Sequence, residues 1–165
     1  MKSAIVYYSL DGNCDLVAKM INAQTGAQLL RLETTSEKKR SMLGKFFWGG
    51  GMVFLKKKPE LKPWSFDPES YGLIIIGAPV WAGAPAPPIQ SFLDKAHIKG
   101  KKIALFACHG GGMGDAMQKL KDLLAGNEII GEIDFTEPSK GNDDEVKRQV
   151  AEWVTTFSAL SKGID

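Results

Sequence analysis

The run Leu73–Ala78, LIIIGA, constrains the fold more than any other stretch of the chain. It has the length of a strand and is apolar at every position, so it has no face to offer water. Such a strand belongs in the middle of a sheet that is covered on both sides. Two further runs have the same character. Lys2–Tyr8 carries Ala4, Ile5, Val6, Tyr7 and Tyr8, and Lys102–Ala107 reads KIALFA. Strands buried on both faces are typical of parallel sheets, and parallel neighbours need long crossovers between them.

The intervening segments supply those crossovers. Helical spacing over about Gly12–Thr25 places Leu16, Val17, Met20 and Ile21 on one side, with Gly26 as the stop. Helices are also predicted over Ile89–Lys95, over Asp115–Leu124 with Met117, Leu120 and Leu124 inward, and over Asp143–Leu160 with Val146, Val150, Trp153, Val154 and Phe157. Ala27–Glu33 reads as a short second strand. Ile129–Phe135 alternates in character, as expected of an edge strand. Ser36–Phe47 and Met52–Lys58 read as two further helical pieces separated by Gly49-Gly50-Gly51, and Pro59 and Pro63 enforce an extended path after them. The alternation predicts an α/β fold, a parallel sheet with right-handed crossovers and helices on both faces. A length of 165 residues suits one domain spanning 1–165.

Ligands of such sheets bind beyond the carboxyl ends of the strands, where strand order reverses. Three loops fall at that end. The first is Ser9-Leu10-Asp11-Gly12-Asn13-Cys14, between a buried strand and a helix N-terminus. Unpaired backbone N–H groups and the partial positive charge of a helix start suit it to a phosphate. Ser9 adds a hydroxyl, and the backbone of Gly12, Asn13 and Cys14 adds N–H donors. A carboxylate at Asp11 repels a phosphate, so its side chain is expected to face solvent or to cap the helix. The same residues also make a good plain turn.

The second loop, Pro79–Pro88, brings Pro79, Val80, Trp81, Ala82 and Gly83 to the same edge. A Trp there can cover a flat ring, with backbone groups of Val80–Gly83 at the ring's polar rim; the alternative is that it fills core, and its place in a loop favours the ring. The third loop contains Cys108, His109, Gly110, Gly111 and Gly112. Consecutive glycines let backbone approach a ligand closely. His109 is free either to touch the ring or to sit in solvent, and Cys108 is expected to pack at the strand end. No Ser/His/Asp set, paired carboxylates or Walker-type Lys can be assembled from the chain.

With SLDGNC, GAPVWAGAPAPP and FACHGGGMGDAMQKL in this order, the chain resembles the flavodoxin family over nearly its full length. The resemblance implies a flavodoxin-like three-layer sandwich, a five-stranded parallel sheet of order 2-1-3-4-5, and one non-covalent FMN. In that family a turn of pattern Ser/Thr-x-Thr-Gly-Asn-Thr grips the FMN phosphate. Ser9, Gly12 and Asn13 match it, while Asp11 and Cys14 stand where the pattern has threonines. The third loop lacks the Tyr that electron-carrier flavodoxins often stack on the ring. The resemblance implies electron transfer between redox partners, or alternatively an NAD(P)H-dependent FMN oxidoreductase of the quinone or flavin reductase type.

Charge bears on the partner. The chain's net +2 is uneven: residues 38–62 hold Lys38, Lys39, Arg40, Lys45, Lys56, Lys57, Lys58 and Lys62 against Glu60, which is +7 and leaves −5 elsewhere. Electron-carrier flavodoxins are typically acidic, so this segment is a candidate dock for an acidic redox partner protein. Its local character gives no reason to expect nucleic acid. Phe46, Phe47, Trp48 and Phe54 interleave the charges, a pattern that also suits a membrane surface. No stretch is apolar enough to span a bilayer and the N-terminus lacks a signal-peptide core, so a cytoplasmic location is expected. The two cysteines follow no metal-ligand spacing, and free thiols are expected with no metal.

Overall fold

The computed structural model describes residues 1–35 and 58–161. Five strands form a parallel sheet: β1 (Ser3–Tyr8), β2 (Gln28–Leu32), β3 (Leu73–Trp81), β5 (Lys102–His109) and β6 (Glu128–Thr136). They lie side by side as β2-β1-β3-β5-β6, and the two-residue β4 (Ala84–Pro85) folds back antiparallel on the end of β3. Counting the parallel strands alone, this is the order 2-1-3-4-5. The helices are α1 (Asn13–Thr25), α2 (Pro87–Ala96), α3 (Ala116–Leu123) and α4 (Asp143–Ser161).

The strand period of two sorts the core into two layers. Ile5, Tyr7, Leu73, Ile75, Ala104, Phe106 and Cys108 face α1 and α4, where Val17, Ile21, Val150 and Phe157 meet them. The alternate positions Val6, Tyr8, Ile74, Ile76, Ile103 and Leu105 face α2 and the α3 side, against Ile89, Phe92 and Leu120. Each central strand therefore feeds both layers, which is why these runs have no polar face. Gly77 is fitted to this packing. A Cβ on it would stand 2.1 Å from Cζ of Phe106, its register partner on β5.

The structure extends two of the expected strands. Pro79–Pro88 is not a continuous loop: β3 runs on to Trp81, turns at Ala82-Gly83, returns through β4, and enters α2 at Pro87. Both turn residues have positive φ, 49° and 70°, the backbone of a tight hairpin that matches strand twist. Likewise β5 continues to His109, because His109 still pairs with Thr136 across the sheet. The helix Asp143–Ser161 starts where expected, with three acids in its first turn beside its positive end.

The helices expected over Ser36–Phe47 and Met52–Lys58 lie outside the described residues, except Lys58. Beyond them the chain is extended, as Pro59 and Pro63 require. It is stitched to the sheet region by a Thr34–Leu61 bridge and packs Trp64 and Phe66 on Phe92 at ring separations of 4.9 and 5.5 Å. Of the eight basic residues, Lys58 and Lys62 are described. Each is engaged by a nearby carboxylate, Lys58 by Asp94 at 2.5 Å and Lys62 by Glu33. Among the described residues no helix is long and apolar enough to cross a membrane.

Candidate functional site

The ends of β1, β3 and β5 lie next to one another, and the strand order reverses between β1 and β3. The three loops singled out from sequence therefore emerge along one edge.

Loop 1 is built by a left-handed glycine. Gly12 sits at the N-cap of α1 with φ 96°, and no side chain caps the helix from that position. Asp11 takes the capping task from one residue earlier. Its Oδ1 accepts from the Asn13 N–H at 3.1 Å, and its Oδ2 accepts from Asn13 Nδ2 at 2.9 Å. The carboxylate thus occupies one backbone donor of the helix start, an Asx-type turn. Asn13 Oδ1 in turn accepts from the Ser139 N–H at 2.9 Å, tying loop 1 to the turn after β6. Ser9 is buried, and its Oγ accepts from the Asp15 N–H at 3.2 Å. The hydroxyl proton of Ser9 remains to be donated. A Cβ at Gly12 would meet nothing within 4 Å, so open space lies over this backbone.

Cys14 turns away from that space. It is buried in the layer under α1, against Cys108. Burial pushes the Cys14 thiol well up, and its hydrogen bond and charge interaction with Cys108 and the charge of Asp11 push it further. Only its backbone faces loop 1. The chain's two cysteines, 94 positions apart, thus meet beneath the site as free thiols. Sequence spacing carried no sign of this, because the contact joins the start of α1 to the end of β5.

Trp81 closes β3 rather than standing in a loop. Its ring meets Tyr8 edge-on at 5.9 Å and 83°, at the margin of the α2-side layer, and it is partly exposed. The hairpin tip packs directly on loop 3. A Cβ at Gly114 would fall 2.7 Å from Gly83 Cα, a backbone approach that leaves no room for a side chain at 114. Lys119 Nζ also reaches the Gly83 carbonyl at 3.4 Å. Gly111 and Gly112 have nothing within 4 Å of a Cβ position, so loop 3 presents bare backbone to open space.

His109 does not point freely to solvent. Its side chain is 8% exposed, and Nε2 is 2.9 Å from Asp134 Oδ2. Its Nδ1 is buried with no protein partner. An orphaned imidazole nitrogen beside glycine backbone is a polar group left for something the chain does not itself supply.

Two residues with a part in loop 1 were not singled out from sequence. Arg31 on β2 donates from Nη2 to the Ser9 carbonyl at 3.2 Å. Asp15 accepts from the Tyr7 hydroxyl at 2.7 Å and pairs with Lys19 at 2.7 Å. Burial pushes the Asp15 carboxyl up, but the hydrogen bonds of Lys19 and Tyr7 and the charges of Lys19 and Arg31 outweigh it, and the net shift is downward. The Tyr7 hydroxyl is shifted far up, by burial first and then by Asp15. Register explains the meeting, since Tyr7 pairs with Arg31 across β1 and β2. A groove of about 320 Å³ lined by Pro85, Gln90, Lys119, Asp122 and Leu123 contains none of the residues singled out from sequence. Among the described residues no cluster of His, Cys, Asp and Glu could hold a metal.

Comparison with known proteins gives a consistent picture. A model of the flavodoxin family matches residues 2–157. Among solved structures, a flavoprotein of Lactobacillus acidophilus NCFM in complex with FMN is 25% identical, with a TM-score of 0.71 over 93% of this chain and 98% of that one. Oxidised flavodoxin 2 of Bacillus cereus is 19% identical, with a TM-score of 0.61 over 97% and 99%. Two-electron reduced flavodoxin of Megasphaera elsdenii is 22% identical, with a TM-score of 0.53 over 92% and 99%. No curated protein matches the chain.

Proposed function

Because the chain belongs to the flavodoxin family, we propose that it holds one FMN at the edge of β1, β3 and β5 and passes electrons between redox partners. The observation that carries this reading is the double cradle. Gly12 and Gly111-Gly112 present bare backbone to open space, at the end of a parallel sheet where strand order reverses. The orphaned Nδ1 of His109 supports it further. The residues present fit the cofactor: a helix start for its phosphate, glycine backbone for its ring, and no cysteine thiol aimed at either.

When bound, FMN supplies the redox chemistry, taking up and releasing one or two electrons. The chain's part is to bind and orient it. Leu10, Gly12 and Cys14 offer backbone N–H groups to the phosphate and Ser9 offers its hydroxyl proton. Asp11 holds the Asn13 N–H and keeps Asn13 fixed on Ser139. Pro79, Val80, Trp81, Ala82 and Gly83 form the hairpin wall of the ring subsite. Cys108, His109, Gly110, Gly111 and Gly112 form the opposite wall, with Asp134 orienting the His109 ring.

A second reading, direct reduction by NAD(P)H, is favoured by one feature. Gly110–Asp115 contains no aromatic residue to cover the ring from loop 3. In either case an acidic redox protein docking on residues 38–62 is our proposal for the partner. The described lysines Lys58 and Lys62 are already paired within the chain, so Lys38, Lys39, Arg40, Lys45, Lys56 and Lys57 would carry that contact.

The test is direct. Purified protein is expected to be yellow and to release one equivalent of FMN on denaturation. Anaerobic mixing with NADPH is expected to leave the flavin colour unchanged over minutes. Prompt bleaching favours the second reading, and a colourless chain that takes up no added FMN overturns both.

A further inference from the structure

Loop 1 presents an electrostatic difficulty for a phosphate. Asp11 stands inside it and Asp15 directly after it, and Asp11 already holds the Asn13 N–H. Lys19 is spent on Asp15 along the helix surface and Lys140 on Glu137 at 2.6 Å. Arg31 is placed differently. It reaches from the neighbouring strand and donates to the Ser9 carbonyl at 3.2 Å, a bond to the backbone of the loop itself. Its Nη1 lies 3.7 Å from Asp15 Oδ1. Asp15 in turn donates its backbone N–H to Ser9 Oγ at 3.2 Å. Arg31 thereby holds Ser9 from two sides, through the carbonyl directly and through the hydroxyl by way of Asp15. Tyr7 donates its hydroxyl to that same Oδ1 at 2.7 Å, and Lys19 pairs with the other oxygen. Arg31 remains 47% exposed, so its charge also reaches the solvent-facing side of the loop.

We propose that Arg31 is the positioning and specificity-determining residue of the phosphate subsite, making loop 1 select a phosphorylated flavin over the unphosphorylated one. The proposal rests on the FMN reading above. Arg31 offsets the charge of Asp15 beside a loop where the pattern's two threonine hydroxyls are missing. It also holds the backbone of Ser9, whose hydroxyl accepts from the Asp15 N–H and keeps its proton to donate. A guanidinium suits the task because its fork donates in two directions at once, whereas an ammonium is a single compact charge.

The experiment measures dissociation constants of FMN and of riboflavin, by flavin fluorescence, for wild type, Arg31→Gln and Arg31→Lys at low and moderate salt. Arg31→Gln is expected to weaken FMN by about tenfold, the size of one unit-charge interaction across several ångströms near a protein surface. Riboflavin affinity is expected to stay within about twofold, since it has no charge to lose. The salt dependence of FMN binding is expected to flatten in Arg31→Gln. Arg31→Lys is expected to recover part of the FMN affinity and most of the salt dependence. Equal loss for both flavins would reduce Arg31 to a structural brace and overturn the proposal, as would unchanged FMN binding. A wild type that binds both flavins equally overturns it while leaving the cofactor site standing. A wild type that binds neither overturns the FMN reading and this proposal together.

Discussion

At Asp11 the chemistry of a turn competes with the chemistry of a binding site. Its carboxylate satisfies the first N–H of α1 and so stabilises the helix start. The same charge opposes a phosphate. Asp11→Asn keeps an oxygen for the Asn13 N–H and removes the charge. We expect FMN to bind about tenfold more tightly to this variant, with riboflavin unchanged, in fluorescence titrations. Cys14 poses a different question, because its thiol is sealed against Cys108 and its ionisation is driven well upward. The thiol stays protonated in the folded state over a range where the unfolded chain's cysteine ionises, near pH 8.5. The sign follows from linkage: the stability this thiol contributes is full below about pH 8.5 and is lost as pH rises toward its folded value. Denaturant melts of wild type and Cys14→Ala between pH 7 and 10 are expected to converge as pH rises. In native protein, Ellman's reagent is expected to react with neither cysteine until the chain is unfolded.

At the scale of elements, the hairpin β3–β4 and loop 3 are coupled because their backbones touch at Gly83 and Gly114. Gly114→Ala drives a Cβ to 2.7 Å from Gly83 Cα at a φ of 49°, so backbone must move on one side or the other. We expect a loss of roughly 1–3 kcal/mol in stability. A weakening of FMN and riboflavin together is also expected, since the displaced wall faces the ring that both share. Ala82 carries its own strain, a non-glycine residue at φ 49° in a two-residue turn. Helix α1 depends on the group of Tyr7, Asp15, Lys19 and Arg31. The net shift of Asp15 is downward, so its contribution is full above the ordinary carboxyl range and is lost as pH falls through its folded value. Wild type is expected to lose stability relative to Asp15→Asn below about pH 4, as followed by circular dichroism.

Across the whole molecule the sheet is the shared wall of two cores. Ile75 on β3 is fully buried on the α1 and α4 side, and Ile76 is fully buried on the other. Ile75→Ala is expected to cost about 3 kcal/mol, and to lower the melting temperature by roughly 6–12 °C in calorimetry. The site sits at the carboxyl edge of this same wall. A central-strand variant is therefore expected to weaken flavin binding only through global unfolding, with native flavin affinity at low temperature.

The architecture was legible because its cause is local. Apolar runs with no polar face, separated by segments of helical spacing, leave a parallel sheet covered on both sides as the arrangement that buries them. The glycines of SLDGNC and CHGGGMG marked the cradle for a similar reason, since only backbone without Cβ leaves such space open. The side-chain traffic inside the cradle was not legible, because it is set by register and crossover geometry. Trp81 became a strand end because its backbone pairs with Ala84. Cys14 turned inward because the start of α1 packs onto the sheet, where Cys108 meets it. His109 found Asp134 on the next strand, and Arg31 found Ser9 from the opposite side. Pairings between residues that sequence separates by 22 to 126 positions leave no periodic trace in either segment alone. The chain by itself determined which loops would gather along one edge of the sheet. Tertiary structure alone decided which side chains meet at that edge, because those orientations exist only once neighbouring strands are in register.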